Sequence, residues 1–220
     1  MVERNPVFEE FMVDLQKLLR RVLAERSAEG YLEDFDLVAA VDVAYRGELA
    51  AAAAAVWSLG SGGIVEERYL ICEAPYPYVP GLLFLREAPP MLKVLKALRS
   101  SWDLLLVDGH GILHPRGMGL AVFLGLLLEK PALGVAKSLL VGSESGGGEF
   151  GEVRVSGEVS GYWFKLGGRK FYASPGYMIR VDQVPAIVKR LGGYPKPLSY
   201  ADKLSRKVLA SVRGRPPRRL

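Results

Sequence analysis

Between residues 36 and 72 the chain offers three extended apolar runs joined by very short links, and this arrangement narrows the fold more than any other feature. The runs are residues 36–46, 49–58 and 64–72, separated by Arg46-Gly47 and by the glycine cluster from Gly60 to Gly63. Links of that length join antiparallel neighbours. The middle run contains alanines from Ala50 to Ala55, which intrinsic propensity alone assigns to a helix. It is read here as a strand.

A second pattern follows the proline-rich segment APYPYVPG. Periodicity predicts a helix over residues 89–100, a strand over 103–107, a helix over 118–129 and a strand over 132–136. A strand-helix-strand unit of this length returns the chain in the same direction with right-handed sense, so its two strands are expected to be parallel. Upstream, Phe8, Phe11, Met12, Leu15, Leu18, Leu19 and Val22 recur at helical spacing and predict an amphipathic helix that ends before Gly30 and packs on a sheet. Downstream, SESGGGE at residues 143–149 reads as a mobile loop. Two strands over 159–166 and 169–173 form a hairpin across Gly167-Gly168, and helices over 182–191 and 199–212 complete the domain. The expected fold class is α/β, with a mixed sheet of three antiparallel strands and then parallel strands, flanked by helices.

The 220 residues are 50% hydrophobic, enough for one core, and no break in composition marks a second unit. Residues 1–212 are read as one domain and residues 213–220 as a basic tail. The end of the chain carries Lys203, Arg206, Lys207, Arg213, Arg215, Arg218 and Arg219 against the single acid Asp202, and the net charge of +5 suits a polyanionic partner. Cys72 is the only cysteine, so no internal disulfide forms and a reducing compartment is compatible. The acidic N-terminal residues resemble neither a signal nor a transit peptide, and the stretch GLAVFLGLLLE is shorter than the ~20 residues of a membrane-spanning helix. A cytoplasmic monomer without a membrane partner is expected.

Three acids stand where a strand or strand-like run gives way to a loop: Asp42 in VAAVDVAY, Glu87 closing PYVPGLLFLRE, and Asp108 in LLLVDGHGILHPRG. A bare carboxylate after an apolar strand is costly unless something positive neutralises it. A divalent cation does so, and with one cysteine and two histidines in the chain, oxygen ligands favour Mg2+ or Mn2+ over a softer metal. Any one of these acids is equally explained by a helix cap, a turn or an arginine partner. Their number, and the polar company of Asp108 (His110, His114, Pro115 and Arg116), point to a cleft at the carboxyl end of a strand. Lys137 follows the strand end GVA, where an ammonium faces either phosphate and the acids or an ion pair bracing the parallel strands.

The blocks PYVPGLLFLRE (77–87), LLLVDGHGILHPRG (104–117) and GVAKSLL (134–140) together resemble the signature blocks of the endonuclease V family of inosine-directed repair nucleases, and the similarity runs over about residues 37–201. The resemblance implies a ribonuclease H-like fold, with Asp42, Glu87 and Asp108 as metal-binding acids. It also implies catalytic roles for Lys137 and for His114, which orients or protonates near the scissile phosphate. Tyr78, with Pro77, Val79 and Pro80, matches the wedge that enters the duplex beside the lesion, although an aromatic between prolines equally well packs a loop on a core. The pocket for the extruded base falls between the PGLL and DGHG turns, with Gly81, Leu83, Gly109 and Leu140 as candidates, and Arg116 holds backbone. His110 is treated as a turn or rim residue. Tyr177 stands where the family's block usually has histidine, and a lost metal or phosphate contact with altered metal preference is expected. The implied activity is Mg2+- or Mn2+-dependent hydrolysis on the 3′ side of deoxyinosine in DNA, leaving 3′-hydroxyl and 5′-phosphate ends. The alternatives are an inosine-specific endoribonuclease of the same fold and a noncatalytic inosine-binding module.

Overall fold

The computed structural model describes residues 3–25 and 32–212. The basic tail at 213–220 lies outside the described residues. The first three strands are present within a residue of expectation: β1 (Leu37–Arg46), β2 (Leu49–Ser58) and β3 (Gly63–Glu73) form an antiparallel meander in which Asp42 pairs with Ala53. The alanines of β2 are a strand because tertiary packing overrides propensity. Every residue from Leu49 to Val56 is buried, with Ala51 and Ala53 under one layer of helix and Ala52 and Ala54 under another. Methyl side chains let helices approach both faces of this strand.

Helix α1 (Pro6–Glu25) does not lie on the sheet as expected. It lies at the margin of the core instead. Met12, Val13, Leu19 and Leu23 pack against the core cluster on the α2–α3 side, and polar bonds fix the helix there: Gln16 Nε2 donates to the carbonyl oxygens of Gly81 and Met118, and Tyr76 donates its hydroxyl to Glu9.

Helix α2 spans Leu83–Leu95, not residues 89–100. Pro89 and Pro90 sit inside it, where the sequence reading had them start it. Proline removes the N–H that would bond the carbonyl four residues back. For Pro90 that carbonyl belongs to Arg86, and the Tyr45 hydroxyl of β1 donates to it at 3.2 Å. The Arg86 guanidinium covers the Tyr45 ring, 4.1 Å from its centroid. The helix therefore continues through its prolines because a strand residue supplies a missing partner. In consequence Glu87 stands on a helix and not at the end of a strand.

Strand β4 (Leu104–Asp108) inserts parallel to β1, helix α3 (Leu120–Leu128) crosses over, and β5 (Ala132–Ala136) lies parallel to β4. The expected loop at 143–149 is in part a strand: β6 (Ser143–Glu144) pairs with β7 (Phe150–Val155), which the sparse apolar pattern FGEVRV had concealed. The hairpin β8 (Glu158–Leu166) and β9 (Arg169–Tyr177) follows, with β9 longer than expected and antiparallel to β5. One nine-stranded mixed sheet results, in the order β3-β2-β1-β4-β5-β9-β8-β7-β6. A 3-10 turn (Val181–Gln183), helix α4 (Val184–Arg190) and helix α5 (Lys196–Ser211) complete the described residues. Helices α2 and α3 cover one face, α4 and α5 the other. Among the described residues no helix is long and apolar enough to cross a membrane.

Candidate metal centre and base cavity

Parallel pairing of β1 with β4 brings the acids together. Val41 is in register with Val107, so Asp42 and Asp108 are the next residues on adjacent strands, which lie about 4.8 Å apart. By strand alternation both project from the face of Ala40 and Leu106, towards α5. There β4 ends, β1 runs on, and a cleft opens between them, at the carboxyl ends of parallel strands where open α/β sheets bind ligands. Lys137, one residue beyond β5, reaches back so that its Nζ lies 2.5 Å from Asp108 Oδ2.

Helix α5 supplies what the sequence reading missed. Carboxylate oxygens of Asp42, Asp108 and Asp202 all lie within 4.8 Å of one another. Asp202 was read only as the lone acid of a basic run. The available signal was the buried stripe of α5, in which Asp202 adjoins Ala201 and the fully buried Ser205. Ser205 Oγ sits 2.5 Å from Asp42 Oδ2, while Arg206 donates to Asp202 at 2.9 Å.

Glu87 lines the same cleft of about 740 Å3 but stands outside the closest trio. Burial, then the charges of Asp42 and Asp108, push its carboxyl up to about 8. Asp42 is pushed up to about 6, chiefly by burial and further by Asp108 and Asp202, against the Ser205 hydrogen bond. For Lys137 burial opposes the charge, yet the hydrogen bond and field of Asp108 hold its pKa above the ordinary lysine value. Burial first, and then the neighbouring carboxylates, make ionisation of Glu87 and Asp42 costly, so the cleft is short of positive charge. An all-oxygen donor set of this kind fits a hard divalent cation.

A cavity of about 210 Å3 adjoins the acids, lined by Tyr78, Gly81, Leu83 and Leu140 together with His114 and Met118. Gly109, expected there, lines the acid cleft instead. The PGLL turn is pinned from below: buried Tyr76 and Val79 anchor it, and Gly81 takes a left-handed φ of +77°. Tyr78, between Pro77 and Pro80, is left 63% exposed. Packing against the core is thus done by its neighbours and not by Tyr78.

His114 does not line the acid cleft. Its Nε2 donates to the Gly81 carbonyl at 3.2 Å and its Nδ1 accepts from the Arg116 amide at 3.2 Å, an arrangement of the neutral ring. Burial, then the Arg116 charge, lowers its pKa to about 4. Arg116 is also committed, donating to Gln16 Oε1 and to the Gly81 carbonyl, each at 2.6 Å. Both residues brace the PGLL turn. His110 lines both cavities, and among the described residues its buried Nδ1 has no partner.

Tyr177 is not near the acids. It pairs with Ala132 at the opposite end of β5 from Lys137 and packs with the α2–α3 side of the core. The two positions are about five residue steps apart along β5, about 16 Å.

The endonuclease V family model matches residues 16–203. The endonuclease V of Saccharolobus solfataricus is 39% identical over 208 residues, covering 94% of this chain and 98% of that protein. Among solved structures, the endonuclease V of Streptomyces avermitilis is 29% identical, with a TM-score of 0.79, over 90% of this chain and 92% of that one. That of Ciona intestinalis, in complex with a 24mer DNA containing an inosine followed by a ribo-adenosine, is 26% identical, with a TM-score of 0.81, over 95% of this chain and 100% of that one.

Proposed function

Because the chain belongs to the endonuclease V family, we propose that it recognises deoxyinosine in DNA and hydrolyses a phosphodiester bond on the 3′ side of that nucleotide, in DNA repair. The observation that carries this reading is the convergence of Asp42, Asp108 and Asp202 oxygens within 4.8 Å in an open cleft beside a base-sized cavity. These three acids would hold the cation directly, with Glu87 completing the shell through water. Their all-oxygen chemistry favours Mg2+, with Mn2+ as a substitute. When bound, such a cation activates water and neutralises charge on the phosphate and the departing oxygen.

The chain's own groups do the rest. Lys137, poised on Asp108, pairs with a non-bridging phosphate oxygen. Attack of a water oxygen on phosphorus breaks the bond to O3′, which takes a proton, leaving a 3′-hydroxyl and a 5′-phosphate. The extruded base enters the cavity lined by Gly81, Leu83 and Leu140, and Tyr78 fills the gap it leaves in the stack. His114 and Arg116 keep that cavity's wall in place through the Gly81 carbonyl.

A second reading, cleavage of inosine-containing RNA, is favoured by one observation: the similar Ciona protein was captured with a ribo-adenosine after its inosine. Labelled duplexes carrying one inosine, with deoxyribose or ribose on its 3′ side, separate the two when incubated with Mg2+ and then with EDTA. Nicking of the deoxyribose strand that EDTA stops supports the DNA reading, and nicking of the ribose strand alone supports the other. Binding of both without cutting either leaves only a noncatalytic module. A monomer in a reducing, cytoplasmic setting completes the proposal, supported by the single cysteine Cys72. Sedimentation of the purified chain tests the first part.

A further inference from the structure

The acid cleft does not end at Lys137 and Asp202. Both residues also line a third cavity, of about 600 Å3, between the β8–β9 hairpin and the start of α5. On its other side the acid cleft shares Leu83, His110 and Ser138 with the base cavity. The three cavities are therefore neighbours in a row, with the acids in the middle.

The third cavity is built for negative charge. Arg169 and Lys170 of β9 and Lys203 of α5 line it beside Lys137, against the single acid Asp202. Two of these cations are already occupied: Lys170 by Glu144 and by the Trp163 ring, 4.5 Å away, and Lys137 by Asp108. The side chains of Arg169 and Lys203 are exposed and, among the described residues, take part in no hydrogen bond or ion pair. Tyr194 lines it as well. Its ring is held edge-on by Phe171 at 5.4 Å, and among the described residues its hydroxyl has no hydrogen-bond partner. Solvated cations are ordinary on a basic protein. Two unpaired ones around a concavity that opens from a cation site, with a fixed phenol between, are a different arrangement.

We infer that this cavity is the subsite for the strand beyond the scissile bond: Arg169 and Lys203 take phosphates of the nucleotides 3′ to the cut, and the Tyr194 hydroxyl donates to the nearest of them. The inference rests on the proposed reading, in which the base lies on one side of the acids and the cut on its 3′ side, because the strand must then leave through the third cavity. The 5′-phosphate product is the fragment it holds.

The test compares two inosine-containing strands, one continuing about ten nucleotides past the cut and one ending a single nucleotide past it. The Arg169→Ala/Lys203→Ala double variant, with an unchanged melting temperature as the control for folding, is expected to raise KM about tenfold on the long strand and leave it unchanged on the short one, with kcat preserved on both. Its dependence of log KM on log salt concentration should flatten by roughly 1.4, since each lost single-strand phosphate contact removes about 0.7. Tyr194→Phe should raise KM on the long strand alone, by a smaller factor. An equal effect on both strands, or no effect on either, overturns the subsite while leaving the nuclease reading intact. A wild-type protein that cuts neither strand overturns the nuclease reading itself.

Discussion

Ser205, fully buried on α5, places its hydroxyl oxygen 2.5 Å from Asp42 Oδ2 on β1 and 2.9 Å from the carbonyl oxygen of Asp202. One hydrogen serves both acceptors in turn, so an ionised Asp42 draws it. This contact couples the strand that carries one metal-binding acid to the helix that carries another, 163 residues apart. A hydrogen bond to a charged group contributes about 1.5–3 kcal/mol. Ser205→Ala is expected to raise the metal concentration at half-maximal nicking and to lower the melting temperature, and valine should not rescue either. A metal titration unchanged in Ser205→Ala would remove this role.

Asp202 ranks with Asp42 and Asp108 in geometry, so its substitution should cost as much as theirs. Asp202→Ala and Asp108→Ala are each expected to reduce nicking of an inosine duplex by about 10³ or more, the scale of several kcal/mol in cation stabilisation. Binding of the same duplex should persist or tighten in Asp108→Ala, because a negative charge next to phosphate is gone. Loss of binding in parallel with nicking would contradict this division of roles.

The pH dependence of the metal-free protein follows from Glu87, Asp42 and His114. Carboxyls raised on folding, to about 8 for Glu87 and about 6 for Asp42, contribute stability that is complete below their unfolded values of 4.5 and 3.8 and is lost as pH rises through the folded values. His114, lowered to about 4, does the reverse: its contribution is complete above 6.5 and is lost as pH falls. The two trends oppose each other at acid pH, and from pH 6.5 to 8 Glu87 acts alone. The melting temperature of the metal-free protein should therefore fall across that interval. Added Mg2+ should reduce the fall, and Glu87→Gln should abolish it in the absence of metal. A flat metal-free profile between those values would refute the assignment.

Tyr78 is 63% exposed, so its removal should leave stability unchanged and act on substrate alone. Base stacking on an aromatic contributes about 1–3 kcal/mol. Tyr78→Ala is expected to weaken binding of an inosine duplex by roughly 5- to 150-fold. A strand already single should be affected less, because no gap in a duplex needs filling. Anisotropy titrations of the two substrates measure the difference.

Tyr177 tests the sheet register. Pairing with Ala132 puts it at the far end of β5 from Lys137, so Tyr177→His should leave metal dependence and cleavage rate as they are. A changed metal preference would mean that the end of β9 approaches the acids in solution.

Backbone propensity and side-chain period act over a few residues, and what depends on them was legible in the chain. Turn glycines and apolar runs located β1, β2, β3, β5 and the core of the β8–β9 hairpin to within a few residues, and placed Asp108 at the carboxyl end of a buried strand, whereas Asp42, expected at a strand end, stands in the middle of β1, which continues to Arg46. The resemblance of three blocks supplied the family and its chemistry. Where local signals competed with a distant partner, the sequence reading went astray: Pro89 and Pro90 argued for a helix start, until the Tyr45 hydroxyl of β1 took up the Arg86 carbonyl and let α2 begin at Leu83. Apolar spacing put α1 on the sheet, while its Met12, Val13, Leu19 and Leu23 meet the core on the α2–α3 side and Gln16 bonds to the Gly81 and Met118 carbonyls there.

The site itself divides along the same line. That acids following apolar strand residues call for a cation follows from the cost of burying charge and was readable from Asp42 and Asp108 alone. That Asp202 joins them and that Tyr177 lies a strand's length away were decided only when α5 packed across β1 and β9 paired with β5, and that His114 and Arg116 brace a turn was decided when the PGLL segment came to lie against them. Residues distant in sequence meet only through the packing of whole elements, and no local preference along the chain encodes where such a meeting falls.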